Sequence, residues 1–303
     1  MKKYIRPNER KKYVRHTLNS YLLLAPSLFF IILFTVFPIL RSFYLGFTDF
    51  GYANSVPKWA GLANYQYLFN VSVFWKVMRN TLTFCLETFI PSMIIGFILA
   101  LFLNGHFRGL RFTRVAFFYP VMMPMIAVAC VWKYIYMPEN GMLATFLMQN
   151  FGVKMPDLLS SKDTVIPALA FMYNWKEAGY LMIFFLAGLQ NLSSDYFDAA
   201  RIDGAGFWST LIYVTIPLMA PTILFVAIIE LTNSIKLVDH IVILTSGKPN
   251  NGSSTLLYYI YQTAYTFFKQ GRAAALTTIL LILVMIIAMP QYLHFDKRIH
   301  YED

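Results

Sequence analysis

A small set of polar and aromatic side chains lies within or beside long apolar stretches of this sequence. A polar side chain at the depth of a membrane is costly unless it faces protein or a water-filled cavity, so these residues are candidates for lining the path of a polar solute. Glu230, Asn233 and Ser234 are three to four residues apart and therefore share one face of a helix. The candidate pathway residues are Glu87, Tyr173, Asn174, Trp175, Glu230, Asn233, Ser234 and Asp239.

A structural role for the same residues is an open alternative. Polar side chains in membrane helices often form hydrogen bonds between helices or hold a second subunit in place. Lys176 and Glu177 are neighbours in the sequence and can form an ion pair. Spacing alone does not separate a residue that contacts solute from one that joins two helices.

Other kinds of site chemistry have little support in the residue pattern. Cys85 and Cys130 each lie in an apolar run, and the five histidines are scattered without paired helical spacing, so we expect no metal site. The Gly247-Lys248 pair is followed by Pro249 and lacks the first glycine of a phosphate-binding loop. We therefore expect this chain neither to hydrolyse ATP nor to bind a cofactor itself.

The composition places the chain in a membrane. Of its 303 residues, 58% are hydrophobic and only 13% are charged, and the mean hydropathy is +0.54. Soluble proteins average about 45 to 50% apolar and about 25% charged residues, so this chain has too little charge to cover a soluble surface.

The formal net charge of +10 is concentrated at the N-terminus, where the first sixteen residues contain seven Lys and Arg against one Glu. A basic arm ahead of an apolar segment is typical of a topology signal or a lipid contact rather than of nucleic-acid binding. Residues 1–17 are therefore predicted to form a basic cytoplasmic tail. The apolar run that follows is too long for the core of a signal peptide, so we expect it to remain as a membrane anchor.

The pattern of apolar segments predicts an all-α, polytopic membrane protein with six transmembrane helices in residues 18–295. A helix rises about 1.5 Å per residue, so about twenty residues cross the roughly 30 Å hydrocarbon layer. Lys and Arg are more numerous in the segments on the side of the basic tail, which places both termini and a second tail, 296–303, in the cytoplasm. The predicted spans are Tyr21–Leu40, Asn80–Leu103, Val115–Ile135, Val165–Gln190, Leu211–Ile235 and Ala273–Leu293.

The long cytoplasmic loop at 191–210 is predicted to contain a short surface helix. Ser193 or Ser194 can cap its first amide groups, and Asp195 and Asp198 are expected in its first turn, where the helix dipole favours negative charge. Gly204 suits a left-handed stop after the helix. A helix lying on the lipid surface is the alternative interpretation of this segment.

A longer pattern runs from Asp198 to Pro217: Asp-Ala-Ala, three residues, Gly, nine residues, Val, one residue, Ile-Pro. It resembles the EAA loop of binding-protein-dependent ABC importer permeases, Glu-Ala-Ala, three residues, Gly, nine residues, Ile, one residue, Leu-Pro. The spacing agrees throughout, with conservative departures at Asp198, Val214 and Ile216. The resemblance implies that 191–217 couples the chain to an ATPase subunit through Asp198, Ala199, Ala200, Arg201, Asp203, Gly204 and Pro217.

Other segments are similar to the carbohydrate branch of this family, the MalF-like and UgpA-like permeases. They include residues 42–49, 61–65 and 79–82, and Ile202-Asp203-Gly204-Ala205 has the sugar-permease form of the loop. The resemblance implies a MalF-like transmembrane fold in the cytoplasmic membrane of a bacterial or archaeal cell. Amides, carboxylates and aromatic rings would suit a sugar, which presents hydroxyl groups and weakly apolar faces.

The resemblance also implies the partners of the chain. They would be a second homologous permease, two ABC ATPase subunits that bind ATP and Mg²⁺, and an extracytoplasmic solute-binding protein, all around a lipid bilayer and a sugar or related solute. The alternative function is a secondary transporter driven by an ion gradient without an ATPase. It would require inverted half-repeats with broken helices, and no convincing halves are visible in the sequence.

Overall fold

The computed structural model describes residues 23–54, 56–105, 107–236 and 238–296, with side-chain detail as far as Pro290. The predicted basic tail at 1–17, the start of the first predicted span and all but the first residue of the second tail lie outside these residues. Most of the described part of the chain is helical.

A two-stranded antiparallel hairpin follows the first helix, and other long connections lie at 152–164 and 245–255. We number the helices α1 (Leu23–Leu45, with a π-helical turn at Ile32–Val36), α2 (Ala63–Asn70), α3 (Ser72–Leu103), α4 (Leu110–Met122), α5 (Met125–Ile135), α6 (Met142–Phe151), α7 (Val165–Gln190), α8 (Ser194–Ile202), α9 (Phe207–Leu218, with a π-helical turn at Leu211–Thr215), α10 (Ala220–Ile235), α11 (Asp239–Leu244), α12 (Leu256–Tyr261) and α13 (Gln270–Asp296). Strands β1 (Thr48–Asp49) and β2 (Lys58–Trp59) form the hairpin.

Helix α7 is the centre of the structure, and its bounds are those predicted from the sequence. It packs along most of its length against α3, and α4 and α10 cover other parts of its surface. Glycines allow the close approach: a Cβ atom on Gly96 of α3 would lie 2.8 Å from the Cβ atom of Leu181, and one on Gly179 of α7 would lie 2.0 Å from the carbonyl oxygen of Phe117 in α4. Small residues have this role at helix contacts in membranes.

Helix α3 begins at Ser72 rather than near Asn80, and the two turns that the prediction left out carry the charged side chains of Lys76 and Arg79. The Asn80 Nδ2 atom donates hydrogen bonds to the carbonyl oxygens of Asn251 at 2.8 Å and Ser254 at 3.1 Å. The Thr81 hydroxyl accepts from the Leu256 amide at 2.8 Å. Apolar content alone did not detect the two earlier turns because they carry these charges, and the Lys76 ammonium group donates to the carbonyl oxygen of Asn250, a residue distant in the sequence.

The third predicted span, Val115–Ile135, is wrong as a single helix. Helices α4 and α5 meet at an angle of 97° around Met123 and Pro124. The residue before a proline is driven to extended backbone, and Met123 has φ −78° and ψ 137°. The helix therefore ends there, and α5 turns away to pack against α11.

The fifth predicted span, Leu211–Ile235, is also wrong as one helix. A turn at Met219 divides it into α9 and α10. Pro217 and Pro221 flank this turn, and each lacks the amide hydrogen that a continuous helix requires. The segment long and apolar enough to cross a membrane is instead Ala220–Leu244.

Within the described residues, four helical segments have the length and apolar character of membrane spans, and the bent pair α4 and α5 would be a fifth. The four are Leu23–Leu45, Ser72–Leu103, Ala220–Leu244 and Gln270–Pro290. Helix α7 has 26 residues but carries polar side chains near its middle. A multi-pass membrane protein is therefore confirmed, whereas the count of six spans and the orientation of the termini stay predictions.

We expect Gly179→Ala to destabilise the protein, because the added methyl group must displace the α4 backbone. Overpacking of this kind costs about 1 to 3 kcal/mol. Gly105→Ala is the matched control, since a Cβ atom there would meet only the Phe102 carbonyl oxygen, at 3.5 Å. Thermal unfolding of both variants in detergent micelles tests this, and equal midpoints would contradict the proposed close contact.

Candidate functional site

The surface helix predicted for the loop at 191–210 is α8. Ser193 is its N-cap, and the Ser193 hydroxyl oxygen accepts a hydrogen bond from the Asp195 amide at 3.2 Å. Asp195 lies in the first turn, as predicted, but Asp198 lies in the second. The Asp198 carboxylate is instead 3.2 Å from the Arg201 guanidinium, and both side chains are exposed. An exposed pair of this kind contributes little to stability.

Gly204 ends this helix in a left-handed conformation, with φ +74°, as predicted. The Ala205 amide donates to the Ala200 carbonyl oxygen at 2.9 Å, and the Gly204 amide donates to the Arg201 carbonyl oxygen at 3.0 Å. These two bonds form a Schellman motif, which satisfies carbonyl groups that the end of a helix leaves without partners. The turn directs the chain back into α9.

Folding of this loop brings together residues that are distant in the sequence. A groove of about 760 Å³ lies between α8 and α9, with the last turn of α9 on one wall. Asp198 and Arg201 are exposed on the same short helix. The predicted residues that line the groove are Ala199, Ala200, Asp203, Gly204 and Pro217.

The opposite side of α8 faces the body of the protein. Phe197 is half-buried and lines a cavity of about 300 Å³ together with Leu101 and Asn104 at the end of α3, Leu189 at the end of α7, and residues of α9. Phe197 was not among the predicted coupling residues. Its large apolar side chain on a mostly polar helix is the signal of an inward contact.

A second groove, of about 720 Å³, lies between α3, α4 and α7 and contains three of the predicted pathway residues. Glu87, Asn174 and Trp175 line it, and the rest of its lining is mainly apolar. Glu87 begins a stripe of groove-lining residues on α3 that repeats every four positions through Pro91, Ile95 and Leu99. One face of α3 therefore forms a wall of this groove.

Asn174 also joins two helices. The Asn174 Oδ1 atom accepts a hydrogen bond from the Ser92 hydroxyl at 2.8 Å, and its Nδ2 atom donates to the Glu87 carbonyl oxygen at 2.9 Å. Both ends of the amide thus bind α3. Ser92 is completely buried and was missed in the sequence, although a polar residue in an apolar stretch was the criterion that selected Glu87.

Lys176 forms the expected ion pair with Glu177, its neighbour in the sequence. Its Nζ atom lies 3.2 Å from the Glu177 carboxylate and donates to the Val121 carbonyl oxygen, also at 3.2 Å. Lys176 is only 6% exposed. The ammonium group is therefore held by protein on two sides.

Glu230 and Ser234, two members of the predicted helix cluster, are buried and do not line the groove. Glu230 has no exposed surface, and the hydroxyl groups of Tyr173 and Ser92 lie beside its carboxylate. The Ser234 hydroxyl is also buried, 3.3 Å from the Cys85 sulfur.

The remaining two predicted pathway residues neither line the groove nor are fully buried. Asn233 is half-buried on α10, and Asp239 is exposed at the first position of α11. The neighbouring His240, which the pathway prediction did not include, is completely buried with its ring stacked on Phe84 at 5.3 Å. The eight residues thus divide into a groove set, a buried set and these two.

Comparison with known proteins identifies relatives that are membrane transport proteins. Residues 90–301 match the family model of the binding-protein-dependent transport system inner membrane component. A lactose transport system permease protein of Rhizobium radiobacter is 31% identical over 296 residues, covering 94% of this chain and 95% of the relative. A probable starch degradation products transport system permease protein of Thermoanaerobacterium thermosulfurigenes is 26% identical over 292 residues, with 96% and 98% coverage.

The fold is similar to that of solved ABC transporters. One chain, from a bacterial ABC transporter involved in the import of the acidic polysaccharide alginate, superposes with a TM-score of 0.82 and is 21% identical, with 96% of this chain and 99% of that chain covered. The resemblance noted in the sequence is thereby confirmed. The chain belongs to the family of binding-protein-dependent transport system inner membrane components, and it is a carbohydrate-type permease of the ABC transporters.

Proposed function

We propose that this chain is one of two permease subunits of an ATP-driven importer for a sugar, an oligosaccharide or a sugar-derived solute. The observation that carries the proposal is the exposed segment at 191–217, which combines a capped helix, the left-handed Gly204 and a groove that reaches Pro217. In a chain of this family, such a segment offers a docking surface for an ATPase. The solute would cross between this chain and a second, homologous permease in the cytoplasmic membrane of a bacterial or archaeal cell.

The proposed topology has six crossings with both termini in the cytoplasm. The basic N-terminal residues support an inside start, because Lys and Arg are retained on the cytoplasmic side. Helix α7 would be a crossing despite its polar middle, because Asn174 and Lys176 bind other helices there rather than lipid. This arrangement places α8 on the cytoplasmic side, where ATP is available.

ATP and Mg²⁺ would be bound by two separate ATPase subunits, since the chain lacks a Gly-x-x-x-x-Gly-Lys sequence. Closure of those subunits would move α8, and hydrolysis would return it. Phe197 is placed to pass this movement to the ends of α3 and α7, because it contacts their cavity from the inner side of α8. Asp198, Ala199, Ala200, Arg201, Asp203, Gly204 and Pro217 would form the outer, ATPase-facing side.

The proposed solute path includes Glu87 and Trp175 in the groove, with Asn174 holding its wall. Tyr173, Glu230, Asn233 and Ser234 would join the path when the helices separate, and Asp239 would lie towards its outer end. A solute-binding protein would deliver the solute from outside. A further solved neighbour, a bacterial alginate ABC transporter in complex with an alginate pentasaccharide-bound periplasmic protein, has a TM-score of 0.81 and supports this arrangement.

The purified chain alone is expected to hydrolyse no ATP. Co-expression with the second permease and the ATPase encoded nearby should yield a complex whose hydrolysis rises when the loaded binding protein is added. ATPase assays in lipid nanodiscs measure the hydrolysis rate of the isolated chain and that of the complex with and without the loaded binding protein. Hydrolysis by the isolated chain, or failure of the chain to co-purify with either partner, would refute the proposed function.

We expect Gly204→Ala to reduce transport, because a residue with a Cβ atom costs about 1 to 2 kcal/mol in the left-handed conformation. Gly206→Ala is the control: both added methyl groups would meet open space, and Gly206 has φ −76°. Gly204→Asn should recover part of the activity, since Asn tolerates this conformation. Equal uptake by the two alanine variants in proteoliposomes would show that the turn is not required.

Phe197→Ala is expected to leave the ATPase bound but to lower the solute transported per ATP about tenfold, a coupling loss of about 1.4 kcal/mol. Phe197→Leu should restore most of the transport per ATP, because the leucine side chain fills the same cavity. Tyr196→Ala, on the exposed side of the same helix, should instead weaken ATPase binding. Co-purification and the ratio of uptake to hydrolysis separate these effects, and unchanged coupling in Phe197→Ala would exclude this role.

A further inference from the structure

Two aromatic side chains of α7 stand exposed in the groove between α3, α4 and α7. Phe171 and Trp175 both line the groove, and their exposed fractions are 62% and 44%. They are four residues apart, so they lie on the same face of the helix, one turn from each other. Together they form a surface of two rings along one side of the groove, which we call the aromatic wall.

A third ring supports the aromatic wall from behind. Trp132 of α5 is only 8% exposed and is not among the residues that line the groove. Its ring centroid lies 5.7 Å from that of Phe171 and 5.6 Å from that of Trp175, with the planes inclined by 75° and 64°. Edge-to-face contacts of this kind are a favoured geometry of aromatic pairs. The two exposed rings are therefore held in place rather than free to turn.

Trp132 is itself fixed to the helix that carries the aromatic wall. Helix α5 turns away from α4 at 97°, and Tyr136 lies one turn further along it. The Tyr136 ring is 5.1 Å from that of Trp132, and its hydroxyl donates to the Ala168 carbonyl oxygen of α7 at 2.8 Å. The bend between α4 and α5 thus places a buried aromatic support against α7.

A carboxyl group lines the same part of the groove. Glu87 of α3 is a lining residue, and the Asn174 Nδ2 atom donates to the Glu87 carbonyl oxygen at 2.9 Å, which sets Glu87 level with the aromatic wall. Within the described residues, the Glu87 Oε2 atom has no hydrogen-bond partner. An ionisable group at membrane depth is costly unless it faces protein or a water-filled cavity. At this level the groove therefore suits a polar ligand better than a lipid chain.

The aromatic wall and the carboxyl group together match the two kinds of surface on a pyranose. The hydroxyl groups of such a ring lie mainly around its edge, whereas its faces carry C–H groups with partial positive charge. The face of an aromatic ring is negative, so it attracts those C–H groups. Hydroxyl groups at the edge can donate to Glu87. Aromatic rings alone would suit a lipid, and a carboxyl group alone would suit any hydrogen-bond donor, but the pair suits a saccharide.

We propose that the apolar face of a pyranose ring stacks on Phe171 and Trp175 during passage through the groove, and that Trp132 is a positioning residue for both rings. The inference rests on the proposed function and adds a contact and its geometry. Phe171 and Trp132 were not among the pathway residues predicted from the sequence. A second permease would supply the opposite side of the path, and the stacking contact does not depend on the charges there.

Uptake by the complete transporter in proteoliposomes with internal ATP tests the contact. The probe is whichever of lactose, maltose and cellobiose the binding protein retains most tightly in calorimetry. Phe171→Leu and Trp175→Leu keep an apolar side chain but remove the ring, and each should lower the initial uptake rate about tenfold. Phe171→Tyr keeps the ring and should retain most of the uptake. Phe146→Leu removes an exposed ring of α6 outside the groove, and this matched control should transport normally.

Wild-type uptake by both leucine variants would refute the contact and leave the proposed function intact. Equal losses in Phe171→Tyr and Phe171→Leu would also refute it, because the ring would then not be the required group. Failure of both leucine variants to co-purify with their partners would indicate a role in assembly instead. A binding protein that retains none of the probes, or a wild-type transporter that takes up no retained probe, would contradict the proposed function and the contact together.

A double-mutant cycle tests the positioning role of Trp132. Trp132→Leu should lower uptake, and Trp132→Phe, which keeps an aromatic edge, should restore most of it. If Trp132 acts through the aromatic wall, Trp132→Leu combined with Phe171→Leu should lose less uptake than the product of the two single losses. Losses that simply multiply would show that Trp132 acts independently of Phe171, as a purely structural residue would, and would refute this role.

Discussion

The contact between α3 and α7 is the interaction on which the other parts of this structure depend. Two glycines bring neighbouring backbones close to α7, and the Asn174 amide uses both of its ends to bind α3. Hydrogen bonds between helices matter in a membrane because the hydrophobic effect does not distinguish a neighbouring helix from lipid. The polar middle of α7 can be accommodated because α3 and α4 supply its partners.

The two proposed working parts of the permease lie at different levels of this same helix pair. Near its middle, the pair forms walls of the groove that contains Glu87 and Trp175. At the end nearest α8, it forms the cavity that Phe197 also lines. A displacement of α8 would therefore act directly on the helices that line the groove, which would give the proposed ATPase a physical route to the proposed solute path.

Local chemistry was sufficient to predict some elements in detail. Helix α7 has the predicted bounds, and the Ser193 cap and the Gly204 turn follow from residues within a few positions of each other. The third and fifth predicted spans are divided rather than continuous helices, because apolar content does not register missing amide hydrogens at Pro124, Pro217 and Pro221. The start of α3 was placed too late because its first two turns carry Lys76 and Arg79, and Lys76 binds a loop carbonyl group about 170 residues away in the sequence.

The membrane environment, the helical class, the family resemblance and the capped surface helix could be predicted from the sequence alone, since each depends on composition or on short-range spacing. The tertiary structure determined which of the polar residues lie together in one site. It placed Glu87 and Trp175 at a groove, Asn174 between two helices and Glu230 in the interior, although all four satisfied the same criterion in the sequence. The reason is that the cost of a polar group in a membrane depends on its neighbours in space, and those neighbours come from other helices.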